Sequence, residues 1–233
     1  MRTLRILLIA GHGDGDPGAT GNGFKEADLT REVAGLLKEK LSGSANVEVE
    51  IADTSKNWYK HLIKLKNYFY FKVYDYVLEI HFNSHALKSA NGTEIFVTTS
   101  EKSHGVETNI VNNIARLGYT NRGVKRYNYG VMNYIKSQGV SPALIEVCFI
   151  SNAKDMEMYQ AKKGEVIKAI ADGIIDGFGL DRKVDELGEA CKVLASKGII
   201  NSPDYWAKGG GYSDENTVLL IKKFASFVKG EGK

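Results

Sequence analysis

The sequence predicts an α/β fold with a mainly parallel sheet, followed by a small helical domain at the C-terminus. Two observations support this prediction. Short apolar runs of strand length recur along the first 180 residues, at Leu4–Ala10, Tyr74–His81 and Ala143–Ile150. Segments with helical periodicity separate these runs, and strands that alternate with helices are typical of a parallel sheet covered on both faces.

The first four elements follow directly from their residue patterns. Leu4–Ala10 is continuously apolar, as expected of a strand buried on both faces. A loop holding six glycines spans residues 11–23, and Ala27–Leu41 then places its apolar residues on one helical face. Val47–Ile51 alternates between apolar and charged residues, which predicts a second strand.

The remaining elements of the first domain rest on similar signals. An aromatic, lysine-rich helix is predicted at Trp58–Lys72. The last element of the first domain is a helix predicted at Gly164–Phe178, which has Val166, Ile170 and Ile174 on one apolar stripe. Between them the patterns predict strands at Tyr74–His81, Thr93–Thr99 and Ala143–Ile150, and helices at Val106–Leu117 and Tyr129–Lys136.

A domain boundary is predicted near residue 180, which gives domains at 1–180 and 181–233. Gly177 and Gly179 interrupt the preceding helix, and a charged connector follows them. Beyond it, helical patterns occur at Leu187–Lys197 and Asn216–Val228. About fifty residues make a marginal independent domain, so we expect this segment to pack against the first domain or to self-associate.

Composition excludes several classes of protein. The chain of 233 residues has 31 Lys plus Arg against 28 Asp plus Glu, and a net charge of +3 does not indicate nucleic-acid binding. The apolar runs are too short to insert into a membrane, and Ile6–Ala10 is too short for a signal peptide, which predicts cytoplasmic synthesis. Two cysteines, Cys148 and Cys191, cannot form a disulfide framework.

Three polar residues stand where predicted elements begin or end. His12 follows the first strand, Glu26 opens the first helix, and His81 ends a buried strand. Ligand sites in α/β sheets gather beyond the carboxyl ends of strands, and two histidines with one glutamate can bind zinc while leaving its fourth position open for catalysis. The alternatives are structural histidines and a glutamate that interacts with the helix dipole, since the spacing matches no short metal motif.

Glu146 is a carboxylate inside the apolar run Ala143–Ile150. Burying an unpaired carboxylate is costly, so this position predicts either a partner or a role in proton transfer beside the metal. Strand periodicity also allows Glu146 to point outward, on the face that it would share with Leu144 and Cys148.

The segment Leu8–Gly21 resembles the opening of the zinc-dependent N-acetylmuramoyl-L-alanine amidases. Four further blocks are similar in order and spacing: Ile80–Asn83, Gly92–Phe96, Arg122–Lys125 and Pro142–Asn152. Across roughly residues 4–180, the resemblance implies a six-stranded sheet and zinc bound by His12, Glu26 and His81. It also implies that Glu146 is catalytic and that the bond cleaved joins N-acetylmuramic acid to the L-alanine of the peptidoglycan stem.

Four further residues are candidates for binding the substrate. Muropeptides carry carboxylates, which favour Arg and Lys partners; the alternative is that these are solvated loop charges. The candidates are Asn83, Glu94, Arg122 and Lys125. In the tail, residues 198–206 are similar to small helical modules attached to cell-wall enzymes, which predicts wall attachment, with Tyr205 and Trp206 either stacking on sugar or forming the core of the module.

The predicted function is therefore a zinc amidase acting on peptidoglycan, without nucleic-acid or membrane partners. Cytoplasmic synthesis favours a phage endolysin that reaches the wall at lysis. The alternatives are a host autolysin or spore-lysis amidase, a zinc carboxypeptidase-like peptidase, and a wall-binding protein without catalysis.

Overall fold

The computed structural model describes residues 3–42, 44, 46–180, 186–197, 203–207 and 215–229. The chain divides into two units, Met1–Arg182 and Lys183–Lys233, and each is described by itself. Within the described residues, none of the helices combines the length and the apolar composition that crossing a membrane requires.

A six-stranded sheet forms the centre of the first unit. Its strands are β1 (Leu4–Ala10), β4 (Val47–Ile51), β5 (Tyr76–Asn83), β6 (Thr93–Val97), β7 (Asn121–Arg126) and β8 (Ser141–Phe149). Their order in the sheet is β4-β1-β5-β8-β6-β7. All neighbouring strands pair in parallel except β6 and β8, which are antiparallel. The predicted α/β class with a mainly parallel sheet is confirmed.

Helices that form a larger core cover one face of the sheet, and elements that form a smaller core cover the other face. The helices of this unit are α1 (Glu26–Ser42), α2 (Gly105–Ala115), α3 (Gly130–Ser137) and α4 (Ala153–Gly177). The larger core joins α1, α2 and α4 to side chains such as Leu8 and Leu78, which alternate along their strands with residues facing the smaller core. That smaller core contains Leu7, Ile9 and Val77 together with Trp58 and residues of α3.

An irregularity in the pairing of β5 with β8 decides which way the end of β8 faces. His81 lies opposite Glu146, but Asn83 lies opposite Phe149, so β8 contains one extra residue between these pairs. Cys148 therefore belongs to the larger core, whereas Glu146 faces the opposite side of the sheet. Burial raises the pKa of the Cys148 thiol well above its usual range, as expected of a structural cysteine.

The helix predicted at Trp58–Lys72 is wrong. Only a π-helical turn forms, at Lys60–Lys64, and the chain then leaves the helical path through Lys66, whose φ is 55°. The Gln138 side chain accepts a hydrogen bond from the Phe71 N–H at 2.9 Å and donates one to the Phe69 carbonyl at 2.8 Å. These contacts hold the segment extended, so tertiary hydrogen bonds replace those of a helix.

Several other elements differ from the sequence-based prediction. A short hairpin, β2 (Thr20–Gly21) with β3 (Phe24–Lys25), lies within the glycine-rich segment. The strand β7 was not predicted, because its residues are mostly polar and partly exposed, as at the edge of a sheet. Helix α4 begins at Ala153, eleven residues before the predicted start, because the Asn152 side chain accepts a hydrogen bond from the Asp155 N–H at its N-terminus.

The second unit contains three helices, α5 (Glu186–Ser196), α6 (Pro203–Ala207) and α7 (Glu215–Lys229). Its small core joins Ala190 and Leu194 of α5 to Ala225 of α7. Helix α6 lies between the two predicted helical patterns, where no helix was predicted. The connector at 181–185, the glycines at 209–211, and the side chains of Tyr205 and Trp206 lie outside the described part of the chain.

Candidate metal centre and active site

His12 follows β1 in a backbone conformation that few residues adopt. Its φ is 61°, in the left-handed region, where residues other than glycine are uncommon. Arg31 of α1 donates hydrogen bonds to the carbonyls of Gly11 and His12 at 3.1 Å each, which fixes this turn. Strain of this kind is concentrated at functional sites.

Glu26 opens α1 and is only 4% exposed. Backbone N–H groups hold both of its oxygens, since Phe82 donates to Oε1 at 3.0 Å and Ala19 donates to Oε2 at 2.9 Å. Each oxygen also faces a histidine: Oε1 lies 2.9 Å from His81 Nδ1 and Oε2 lies 3.2 Å from His12 Nε2. Burial alone would raise the pKa of Glu26, but the hydrogen bonds with His12 and His81 hold it well below its usual range.

The three residues form a set of donors that fits a zinc ion. One ligand atom from each of His12, Glu26 and His81 lies within 4.8 Å of the others. Two imidazole nitrogens and one carboxylate oxygen are a donor set used by catalytic zinc. The carboxylate is ionised, as a ligand must be.

Glycines leave the space that these side chains occupy. A Cβ on Gly11 would lie 2.3 Å from His81 Cε1, and a Cβ on Gly18 would lie 2.7 Å from the His12 ring and 2.8 Å from Glu26 Oε2. The glycine-rich loop therefore allows the backbone to pack directly against all three donors.

A carboxylate stands behind each histidine. Asp16 Oδ2 lies 2.9 Å from His12 Nδ1, and the Asp16 side chain also accepts hydrogen bonds from the Gly18 N–H and the Asn57 amide. Glu79 Oε1 lies 3.2 Å from His81 Nε2. The nitrogen that faces away from Glu26 thus has an acceptor in both rings, an arrangement that orients metal-binding histidines.

Glu146 lies beside this centre in a cavity of about 260 Å³. Residues from five segments line the cavity, and they include His12, His81, Asn57, Tyr59, Glu79, Tyr129 and Glu146. Glu146 Oε2 is buried and has no hydrogen-bond partner among the described residues. Burial raises the pKa of Glu146 to about 8. The alternative that Glu146 points outward is therefore excluded, and its free oxygen is positioned to exchange a proton with a ligand in the cavity.

The four residues predicted to bind substrate form one connected network. Glu94 is buried and accepts hydrogen bonds from Asn83 Nδ2 at 2.6 Å and from Arg122 Nε at 2.7 Å, and it also pairs with the Lys125 ammonium group. Glu94 lies opposite Glu146 in the sheet. None of the four is among the residues that line the cavity, so the network forms a charged border beside it.

Sequence reasoning missed two residues of the site, Asp16 and Glu79. Asp16 lies in the glycine-rich loop at residues 11–23, where a single charged residue does not stand out from its neighbours. Glu79 gave the same signal as Glu146, because it is a carboxylate inside an apolar strand. Applying that argument to both strands would have identified it.

Comparisons of the sequence with known proteins identify a family and several relatives. Residues 6–176 match the family model described as N-acetylmuramoyl-L-alanine amidase. The N-acetylmuramoyl-L-alanine amidase LytC of Bacillus subtilis (strain 168) is 32% identical over 179 residues, which cover 74% of this chain and 35% of LytC. The endolysin of Bacillus phage SPP1 is 25% identical over 181 residues, covering 74% of this chain and 64% of that protein.

A solved structure has the same fold. The catalytic domain of CwlV, an N-acetylmuramoyl-L-alanine amidase from Bacillus (Paenibacillus) polymyxa var. colistinus, gives a TM-score of 0.62 at 25% identity. The similarity covers 77% of this chain and 100% of that domain. The matched region thus corresponds to a whole catalytic domain, whereas it spans about a third of the length of LytC.

Proposed function

The chain belongs to the N-acetylmuramoyl-L-alanine amidase family, and from this premise we propose that it is a zinc-dependent hydrolase of peptidoglycan. The bond cleaved is the amide between N-acetylmuramic acid and the L-alanine of the peptide stem. One observation carries the proposal: the donors of His12, Glu26 and His81 converge beside a cavity that also contains the carboxyl group of Glu146, whose Oε2 is buried.

The residues of the site divide the work of hydrolysis between them. His12, Glu26 and His81 would hold the zinc ion, which when bound would supply Lewis acidity toward the attacking water and the scissile carbonyl. The Glu146 carboxylate accepts a proton from the water as its oxygen bonds to the carbonyl carbon. Glu146 then donates that proton to the alanine nitrogen as the carbon–nitrogen bond breaks, so the products are the lactyl carboxylate and a free amino terminus.

The charged network supports binding of an acidic peptide stem. Arg122 and Lys125 both pair with the single carboxylate of Glu94, so the network carries one net positive charge. Both cations remain partly exposed, and the Arg122 guanidinium lies 4.9 Å from the centre of the Phe149 ring, which holds it in place. An Arg side chain fixed in this way can bind a stem carboxylate by donating two parallel hydrogen bonds to it.

Digestion of purified peptidoglycan tests the proposal. We expect mass analysis to find new L-alanine amino termini on released peptides, with the glycan strands intact, and we expect a chelator to stop their release. Release of terminal amino acids would instead indicate a carboxypeptidase. Wall binding without any product would indicate a binding protein, and activity that persists in chelator would contradict the zinc centre.

The second unit is proposed to attach the enzyme to the wall, and self-association through it is the alternative that its size leaves open. Removing residues 183–233 is expected to leave hydrolysis of soluble muropeptides within about twofold of the full chain, because every residue of the site lies before Arg182. Co-sedimentation with intact walls is expected to fall. Equal sedimentation of the two proteins would contradict attachment, and the mass of the full chain in solution, by light scattering, reports self-association.

The biological setting is also part of the proposal. A phage endolysin among the relatives supports the endolysin role. The relatives also include a Bacillus subtilis protein named as a sporulation-specific N-acetylmuramoyl-L-alanine amidase, which supports a host amidase as the alternative.

A further inference from the structure

Glu79 is a buried carboxylate to which the proposed mechanism gives no role. It lies in the middle of β5 between Leu78 and Ile80, which are both fully buried, and it is itself only 6% exposed. Residues 79 and 81 share a face of the strand because side chains alternate along it. Glu79 therefore faces the cavity beside His81.

The contacts of Glu79 point to one task. Its Oε1 lies 3.2 Å from His81 Nε2, and its Oε2 is buried with no hydrogen-bond partner among the described residues. Burying a carboxylate oxygen without a hydrogen-bond partner is costly, so the position of Glu79 calls for a compensating role. The hydrogen bond between Glu79 and the imidazole of His81 is the contact that can compensate for this cost.

His81 needs an acceptor at this position if it is to bind a metal. Its Nδ1 faces Glu26 Oε1 at 2.9 Å, on the side where the donors converge. A neutral imidazole carries its proton on one nitrogen only, so binding through Nδ1 requires the proton on Nε2. Glu79 Oε1 is placed to accept that proton's hydrogen bond.

We propose that Glu79 is a positioning residue that fixes the ring orientation and tautomer of His81, so that Nδ1 is presented to the metal. This inference rests on the zinc centre of the proposed function. Glu79 is the counterpart of Asp16, which does the same for His12 from the loop. Glu79 is not a ligand, since the described donors within 4.8 Å of one another come from His12, Glu26 and His81.

Two substitutions separate the hydrogen bond from the charge. Glu79→Gln keeps an oxygen that can accept from Nε2–H, whereas Glu79→Leu removes every acceptor at similar volume. Glu107→Gln is the matched control, because Glu107 of α2 is also a buried carboxylate but accepts its hydrogen bond from the Tyr76 hydroxyl, away from the site. The measurements on the full chain are the zinc dissociation constant, by competition with a chelator, and the exchange of the His81 Nε2–H by NMR in the zinc-loaded protein.

We expect Glu79→Leu to weaken zinc binding by about 10–100-fold and to speed exchange of the Nε2–H, as loss of a hydrogen-bonded partner of a ligand does. Glu79→Gln and Glu107→Gln should bind zinc within a few-fold of the unmodified chain. The thermal midpoint of each variant shows whether it is folded, and Glu79→Gln keeps the test valid if the leucine variant does not fold.

Several results would overturn the inference. Unchanged zinc affinity and unchanged Nε2–H exchange in the leucine variant would exclude a positioning role. An equal loss of affinity in both Glu79 variants would mean that the charge, and not the hydrogen bond, is what matters. An unmodified chain that binds zinc but releases no alanine amino termini would overturn the proposed function alone, and an unmodified chain that binds no zinc would overturn both.

Discussion

Replacing Glu146 with glutamine is expected to reduce hydrolysis of a soluble muropeptide by at least about 10²–10⁴-fold, the usual contribution of a general acid–base residue. The substitution keeps the shape of the side chain but removes the group that carries the proton. Because the ligand atoms come from other residues, zinc should remain near one ion per chain. Product formation measured by labelling of new amino termini and zinc measured by elemental analysis test both parts.

The same variant should be at least as stable as the unmodified chain without metal at neutral pH. Burial raises the pKa of Glu146 to about 8, so the folded state holds the proton more tightly than the unfolded state. For a carboxyl group shifted in this direction, stability falls as the pH rises from its unfolded pKa through 8. Glutamine removes that cost, and we expect an equal or higher thermal midpoint at pH 7.

Other outcomes would assign Glu146 differently. Loss of zinc together with activity would make Glu146 a ligand, and a large drop in the thermal midpoint would make it structural. Glu107→Gln serves as the control, since it changes a buried carboxyl group in α2 and should leave both hydrolysis and zinc unchanged.

Much of the site follows from sequence order alone. His12 follows β1 and His81 lies near the carboxyl end of β5, so the parallel pairing of these two strands brings both histidines to one edge of the sheet. Glu26 opens the helix that follows β1, and the glycine-rich loop between them is short enough to return the chain to the same edge. Local pattern and topology agree at these positions, which is why the prediction could be made.

The direction in which Glu146 faces could not be read from the sequence. Regular alternation puts Glu146 and Cys148 on one face, but the extra residue in β8 moves Cys148 into the larger core. An irregularity of this kind depends on pairing with a distant strand and leaves no signal in the residues themselves. The sequence could show that a carboxylate was out of place, but not which side of the sheet it faced.

The prediction of a helix at Trp58–Lys72 was wrong for a similar reason. Its apolar residues have helical spacing, yet Trp58 and Phe71 pack into one core around an extended chain, with ring centres 6.4 Å apart. The hydrogen bonds that hold the extended chain come from Gln138, more than sixty residues away. Tertiary contacts therefore override local preference.

Gly11→Ala is expected to have the second large effect, because a single methyl group would displace His81, a proposed metal ligand. The φ of Gly11 is not in the left-handed region, so the backbone itself tolerates alanine. The added Cβ would lie 2.3 Å from His81 Cε1 and 2.6 Å from His81 Nε2. The His81 ring cannot move away without breaking its hydrogen bonds to Glu26 and Glu79.

We therefore expect Gly11→Ala to weaken zinc binding and hydrolysis by more than about 100-fold and to lower stability by about 1–3 kcal/mol, the usual cost of overpacking. Gly35→Ala is the control, because a Cβ there meets nothing within 4 Å and Gly35 lies inside α1, where alanine should stabilise by up to about 1 kcal/mol. Titration with zinc and thermal unfolding of the metal-free proteins separate the two effects. If Gly11→Ala bound zinc as tightly as the unmodified chain, the His81 ring would have to be free to turn. That result would refute the inference that a fixed His81 ring is needed for the proposed metal centre.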